Sequence, residues 1–516
     1  MRNGHPQGLY VCFGAEMFER LCYYGMRGLL ILYLTKSLMQ GDVKAMGIYG
    51  AYTALVYAAP VWGGKLADTV LGYKRAVIFG GIVMAIGEFL ILGGTEFWLF
   101  LGMSAIIIGN GYFKANISTM VGKLYADGDP LRDSGFTIFY MGINIGALLA
   151  TVAVAPLGEK FGFHWGFGLA GVGMLVGVGI FLKGMHKLGT AGDPQNPDML
   201  RRFGKWVYAG SLAAIPLLYV LINYGQEVRI FGQGILFWIL MGLLVFVCFN
   251  LLREGFKGDK VQRDRIIVMM ILMTFNVVFW ACFEQAGSSL TLFADRNVDR
   301  DIFGLYEMPA SQTQFFNPAF IILFGSLFSV LWVRLSRIGR NPSIPMKFGL
   351  GIVQLGLGYL VLLIGNALAG PEAMVPLMIV GLMYLLHTTG ELFLSPIGLS
   401  MVTKLAPKKM TGSAMGAWFL SFAFSMYVAA ALAKLTGAVG AEEVVEAAVG
   451  TGGGFATAAY DSLGAPVSEI ATLIDPVESL ATYVDVFGGM GWVTVGIGLV
   501  LVLLSRPLNK MMHGVE

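Results

Sequence analysis

The chain has 516 residues, a formal net charge of +3, 56% hydrophobic and only 13% charged residues, and a mean hydropathy of +0.71. The charged share is about half that of a soluble protein, and apolar runs recur along the whole length, so the composition excludes a water-soluble globular fold and points to a polytopic membrane protein. No basic domain or motif suggests nucleic-acid binding, and the four cysteines, Cys12, Cys22, Cys248 and Cys282, lie in apolar segments without the spacing of a metal site or a disulfide framework.

The hydropathy pattern predicts fourteen spans, at 7–35, 45–70, 76–95, 97–124, 134–157, 166–186, 204–224, 233–252, 265–293, 314–336, 346–368, 374–404, 411–436 and 480–505. The first is preceded by a single cation, Arg2, and carries Glu16, Glu19 and Arg20. That is a poor signal peptide, so this span is expected to stay in the mature protein. At about 100° per residue, Glu16, Glu19, Arg20, Tyr23 and Arg27 share one face of a helix. Each ionisable group at membrane depth costs roughly 2.5–3.5 kcal/mol on insertion scales, so such a stripe should face a partner or a watery cavity. It reads either as a path for protons or polar solute, or as an ion-pair cluster that locks helices together.

Between spans 2 and 3 lies Gly64-Lys-Leu-Ala-Asp68-Thr-Val-Leu-Gly72-Tyr-Lys74-Arg75. Its glycines permit a tight turn, and Asp68 is placed to pair with a cation or to cap a neighbouring helix end. This Gly-x-x-x-Asp-x-x-x-Gly-x-Lys-Arg pattern resembles the cytoplasmic signature of the major facilitator superfamily. Span 4 carries Lys114, with seventeen uncharged residues before it and eight after it, too deep to snorkel easily to an interface. Span 5 carries Phe139-Tyr140-Met-Gly-Ile-Asn144-Ile-Gly146. In span 6, Gly171, Gly173, Gly177 and Gly179 allow close helix contact.

Spans 7 and 8 hold no acid or base in their apolar cores and are expected to be peripheral. The loop 187–203, with Gly192-Asp193-Pro194 and Pro197, is the natural linker before them. Span 9 carries Trp280 and Glu284-Gln285, span 10 opens with Phe316-Asn317-Pro318, span 12 carries Gly390-Glu391 and Ser395-Pro396, and span 13 carries Trp418. Lysine and arginine cluster after spans 2, 6, 8, 10 and 12 and at the C-terminus, all on the side shared by both termini, which is therefore expected to be cytoplasmic. The loop at about 437–479 is acidic, without Lys or Arg, and reads as an external, partly flexible loop with a short helix at 441–449. The expected organisation is a first bundle at 1–190, a linker with two extra helices at 191–260, and a second bundle at 261–516.

Taken together, these motifs resemble the proton-dependent oligopeptide transporter family. The likeness rests on Glu16-x-x-Glu19-Arg20-x-x-Tyr23-Tyr24, on the Phe-Tyr-x-x-Ile-Asn-x-Gly segment at 139–146 and on Gly-Glu-x-x-x-Ser-Pro at 390–396, in the expected order over nearly the whole chain. It implies an all-α membrane protein with a major facilitator fold: two six-helix bundles plus two inserted helices. It also implies proton-coupled import of di- and tripeptides by alternating access. Glu16, Glu19 and Arg20 match the motif linked to proton coupling. Arg27 and Lys114, with Tyr24 alongside, match the cations that receive the peptide carboxylate. Asn144, Asn317 and Glu391 match the groups that receive the amino terminus, and Glu284 matches the acid that pairs with Arg27. Tyr23, Tyr57, Trp280 and Trp418 match pocket-lining aromatics.

Two departures matter. Leu21 stands where the family usually has Phe, and residues 45–70 lack the histidine that animal members carry, so coupling is expected to rest on carboxylates. His387, one turn before Glu391, is expected to be a packed structural residue.

The chemistry agrees with these implied roles. Dipeptides share charged ends and differ in their side chains, so cations at one end of a site and an acid with amides at the other grip all of them. A peptide carboxylate that takes Arg27 leaves Glu284 without its partner, which links substrate and proton reciprocally. The alternatives are a proton-coupled carrier of another small solute, such as a nitrate-like anion or a drug, and a non-transporting sensor or scaffold. An anion site has no use for Glu391, and a scaffold none for intramembrane acids. No enzyme signature is present. The expected setting is the inner membrane of a bacterial cell, as a functional monomer with protons as the coupling ion and no cofactor or metal.

Overall fold

In the bilayer core no water satisfies backbone N–H and C=O groups, and a helix satisfies them within its own segment. The computed structural model, which describes residues 4–126, 129, 131–225, 228–407, 410–437 and 475–515, is accordingly built of helices. They are α1 (Gln7–Leu32), α2 (Asp42–Leu66), α3 (Tyr73–Ile91), α4 (Glu96–Lys123), α5 (Arg132–Leu149), α6 (Ala155–Phe161), α7 (Phe163–Gly184), α8 (Pro197–Tyr224) and α9 (Ile235–Lys257). Then follow α10 (Lys260–Phe283), α11 (Ser289–Asn297), α12 (Phe316–Arg337), α13 (Ile344–Leu368), α14 (Leu377–Leu405), α15 (Thr411–Ala433) and α16 (Pro476–Met511). A π-helical turn at Ala150–Val154 joins α5 to α6, and a 3-10 turn at Glu284–Gly287 joins α10 to α11, so each of those pairs forms one long rod.

The protein is an all-α membrane protein. Among the described residues, eleven helical segments are long and apolar enough to cross a bilayer. Helix α1 is not among them because Glu16, Glu19, Arg20 and Arg27 interrupt its apolar sequence. The bulk of the expected acidic loop, including its short helix at 441–449, lies outside the described residues. Its far end is visible: the Asp475 side chain accepts from the Val477 N–H at 2.9 Å and caps α16.

The chain forms two compact units, one of Met1–Tyr33 and Ala51–Gly234, the other of Leu34–Gly50 and Ile235–Glu516. The inserted helices are divided between them. In the first unit α8 lies on α4, where Tyr112 and Ser211 share a hydrogen bond of 2.6 Å and Tyr208 packs on Phe79. In the second, Phe237 of α9 packs against Phe424 and Tyr427 of α15. Of α8 only Gly204 and Ile222 are buried, as a helix with one lipid-facing side requires.

Glycine sets the packing distance in the first unit. A Cβ on Gly80 would lie 2.5 Å from the Gly109 carbonyl oxygen, and one on Gly109 would meet the Gly80 oxygen at the same distance, so α3 and α4 touch backbone to backbone. The span-6 glycines behave largely as expected. Gly171 abuts Glu88 and Phe89, Gly173 abuts Leu21, and Gly177 abuts Phe18, whereas Gly179 has nothing within 4 Å and faces open space.

In the second unit α13 packs chiefly on α14 and α16, and α10 on α15. Buried Asn297, at the end of α11, donates to the carbonyls of Ala373 and Pro476 and accepts from Ser479, tying three distant segments together.

Candidate functional site

The charged stripe of α1 is buried in the first unit. Arg20 Nε lies 2.9 Å from Glu16 Oε1 and 2.5 Å from Glu19 Oε2, with all three side chains at most 3% exposed. Asn110 of α4 donates to the other Glu19 oxygen at 2.9 Å. Glu16 Oε2 and Arg20 Nη2 have no hydrogen-bond partner among the described residues. Helix α5 comes close because residue 146 is glycine: a Cβ there would run into the Met17 carbonyl and lie 2.7 Å from the Arg20 Cβ.

Beside this triad is an aromatic and cationic cluster. The Lys114 ammonium lies 3.9 Å from the Tyr57 ring centroid and 5.8 Å from that of Tyr23. Arg27 stands over Tyr24 at 5.7 Å, and the Tyr23 and Tyr24 rings meet edge to face at 5.2 Å. Aromatic faces stabilise such cations by about 0.5–2 kcal/mol each. Asn144 of α5 is buried in this unit and donates to the Tyr140 carbonyl at 3.0 Å.

The second unit holds the remaining acids. Asn317, in the first turn of α12, donates to Glu391 Oε2 at 2.9 Å and to Thr388 Oγ1 at 3.1 Å. Glu391 is 7% exposed and has no cation partner among the described residues. Glu284 is buried at the point where α10 gives way to its 3-10 turn. The next residue, Gln285, holds that break in place: its amide donates to the carbonyls of Ala281 and Ala429, both at 2.9 Å, and its oxygen accepts from Ser289. Trp280 and Trp418 lie on α10 and α15, and each packs against Phe422. His387 is buried against Tyr359, with ring centroids 4.7 Å apart, as a packed residue should be.

Asp68 is exposed and accepts from the Tyr73 hydroxyl at 2.5 Å; it makes no ion pair among the described residues. Its neighbour Lys74 is the anchored cation, bonded to Asp193 at 2.8 Å and to the Gly189 carbonyl.

Several buried polar residues escaped the sequence reading. Glu88 of α3 is fully buried, receives only the Cys22 thiol at 3.3 Å, and its second oxygen has no partner among the described residues. The signal was available, since an acid between Gly87 and Phe89 breaks an apolar span as plainly as Glu284 does. Asp42 and Arg296 form a bidentate pair, and Lys36 meets Asp295 at 2.5 Å, all within the second unit. These lie at span ends, where charge is ordinary, so nothing in the sequence marked them as partners.

Long helices with buried ion pairs, cations on aromatic faces and an acid held by an amide are features that suit a membrane transporter. The sequence profile of the POT family matches residues 74–447, and the chain belongs to that family. It is 34% identical to an uncharacterized transporter, YclF, of Bacillus subtilis over 99% of this chain and 96% of that one. It is 33% identical to dipeptide and tripeptide permease A of Chromobacterium violaceum over 98% and 94%. A crystal structure of a peptide transporter, POT, in complex with sulfate superposes with a TM-score of 0.79 at 32% identity, covering 100% of this chain and 97% of that one. A POT family transporter in complex with 5-aminolevulinic acid gives a TM-score of 0.78 at 29% identity, covering 98% of each chain.

Proposed function

We propose that this protein imports di- and tripeptides by proton symport, alternating between outward- and inward-facing states. The observation that carries the reading is the pair Asn317–Glu391, a buried acid oriented by an amide with no protein cation as partner among the described residues. A buried carboxyl group of this kind suits an incoming ammonium, the one group every peptide presents at its amino end. Lys114 and Arg27, cations held on aromatic faces in the first unit, suit a carboxylate, the other group every peptide presents.

Proton coupling is supported by the buried acids Glu16 and Glu19, which share Arg20, and by Glu284, which sits at a helix break. Asn144 is assigned with Asn317 and Glu391 to the amino end. Tyr24, Tyr57 and Trp280, backed by the buried Tyr23 and Trp418, are the walls that tolerate different side chains, because apolar surfaces discriminate by only about 1–3 kcal/mol per methylene. The basic loops support a cytoplasmic side shared by both termini, and the reading takes the chain to work as a monomer in the inner membrane of a bacterial cell. A carrier of nitrate-like anions would need the cations but would leave Glu391 repelling its substrate.

The decisive experiment is uptake of a labelled dipeptide by proteoliposomes containing the purified protein under an imposed pH gradient. Accumulation above the external concentration, abolished by a protonophore, supports the reading. Accumulation of nitrate with no dipeptide uptake refutes it.

A further inference from the structure

Helix α10 carries an asparagine at membrane depth that the transport chemistry above does not use. Asn276 is 1% exposed and lies one turn before Trp280. Its side-chain oxygen accepts from the Trp280 indole N–H at 3.1 Å, and its amide nitrogen donates to Ser421 Oγ of α15 at 3.4 Å. Ser421, equally buried, donates in turn to the Trp418 carbonyl at 2.7 Å. The chain of bonds thus runs from one tryptophan to the backbone of the other across two helices. The two rings are bridged a second time by Phe422, whose centroid is 5.0 Å from Trp280 and 5.6 Å from Trp418.

A buried amide is expensive unless both its donor and its acceptor are used. Here the oxygen and one N–H are used: the oxygen holds the one polar atom of a large ring, and the nitrogen is fixed by Ser421. Trp280 is half-buried: Phe279, Phe283 and Phe422 pack around it, and the rest of the indole stays accessible. Without the tether, only those ring contacts select among the staggered rotamers of the indole. An apolar residue at 276 would fill the same helix face without fixing the ring. Trp418 is clamped independently, 2% exposed and pressed against α14 at Gly398. The tether therefore references the movable tryptophan to the immovable one.

We propose that Asn276, acting through Ser421, is a positioning residue that fixes the Trp280 indole and thereby sets which peptide side chains the pocket accepts. This rests on the reading of Trp280 as a pocket wall. A preorganised ring presents its face at no ordering cost, so large side chains that cover it benefit most and small ones hardly at all.

The test uses the full-length protein in proteoliposomes with alanyl-alanine and phenylalanyl-phenylalanine, comparing wild type, Asn276→Leu and Ser421→Ala. Ultraviolet resonance Raman spectra, each differenced against the same background carrying Trp280→Phe, report the hydrogen bond of this one indole. The expected result is loss of the hydrogen-bonded indole signal in Asn276→Leu. With it, the ratio of KM for the bulky peptide to KM for the small one should rise roughly 3- to 10-fold, the equivalent of one net hydrogen bond. Ser421→Ala should shift both readouts in the same direction, and it decides the matter alone if Asn276→Leu does not insert. An indole signal unchanged by either variant overturns the tether. A freed indole with an unchanged KM ratio overturns the role in selectivity. If wild type takes up neither peptide, the transport reading itself falls and the selectivity role with it, while the Raman result still decides whether the tether exists.

Discussion

Arg296 donates through both of its terminal nitrogens to the two carboxylate oxygens of Asp42, at 2.6 and 2.8 Å, across 254 residues of sequence. The side chains are only 11% and 4% exposed. This fork-on-fork pair fastens residues 34–50, which come early in the chain, into the second unit. Lys36 and Asp295 reinforce the same junction.

Breaking this pair from one side removes the bidentate contact of a charge held in a poorly hydrated place, at a cost of up to about 3–5 kcal/mol. Asp42→Asn and Arg296→Gln are therefore each expected to lower the thermal unfolding midpoint in detergent. The exchange Asp42→Arg with Arg296→Asp should recover part of the loss. Equal stability of wild type and both single variants, in a thermal scan followed by intrinsic fluorescence, would show that the pair contributes nothing.

Lys114→Ala removes the ammonium that lies on Tyr57. If that group receives the peptide carboxylate, affinity should fall by roughly 2–5 kcal/mol, because the carboxylate loses its partner in a partly desolvated site. Dipeptide binding by calorimetry and counterflow uptake should both suffer. Wild-type affinity in this variant would remove Lys114 from the site.

Glu284→Gln keeps the shape of the helix break and removes a titratable group. Proton-driven accumulation should be lost, while exchange of peptide across the membrane is partly kept, since exchange needs binding and reorientation but no net proton flow. If this variant concentrates dipeptide as well as wild type, coupling passes to Glu16 and Glu19.

The contact of α3 with α4 predicts a steric contrast. Gly109→Val places a side chain where a Cβ alone would be 2.5 Å from the Gly80 oxygen and from Met84 Cγ, so the helices must separate. A loss of stability on the order of 3 kcal/mol or more is expected from such overpacking. Gly179→Ala, with nothing within 4 Å of the new methyl group, should be neutral. The two variants can be ranked by the temperature at which half the protein leaves the monodisperse peak in size-exclusion chromatography.

The amino-acid sequence by itself determined that this is an all-α membrane protein and which family it belongs to, and it singled out Glu16, Glu19, Arg20, Lys114, Glu284 and Glu391. It could do so because hydropathy is a local quantity and each ionisable residue inside an apolar run stands out against its neighbours. Glu88 obeys the same rule and was missed only because no familiar motif surrounds it. The tertiary structure alone decided the partners: that Asn110 holds Glu19, that Asn317 holds Glu391, that Asn276 reaches both Trp280 and Ser421, and that Asp42 closes on Arg296. It also divided the inserted helices between the two units. A hydrogen bond is a matter of a few ångströms between atoms far apart in the chain, and its geometry is set by how glycines and small residues let helices approach. One-dimensional periodicity shows which face of a helix is polar, but not which residue of another helix meets it.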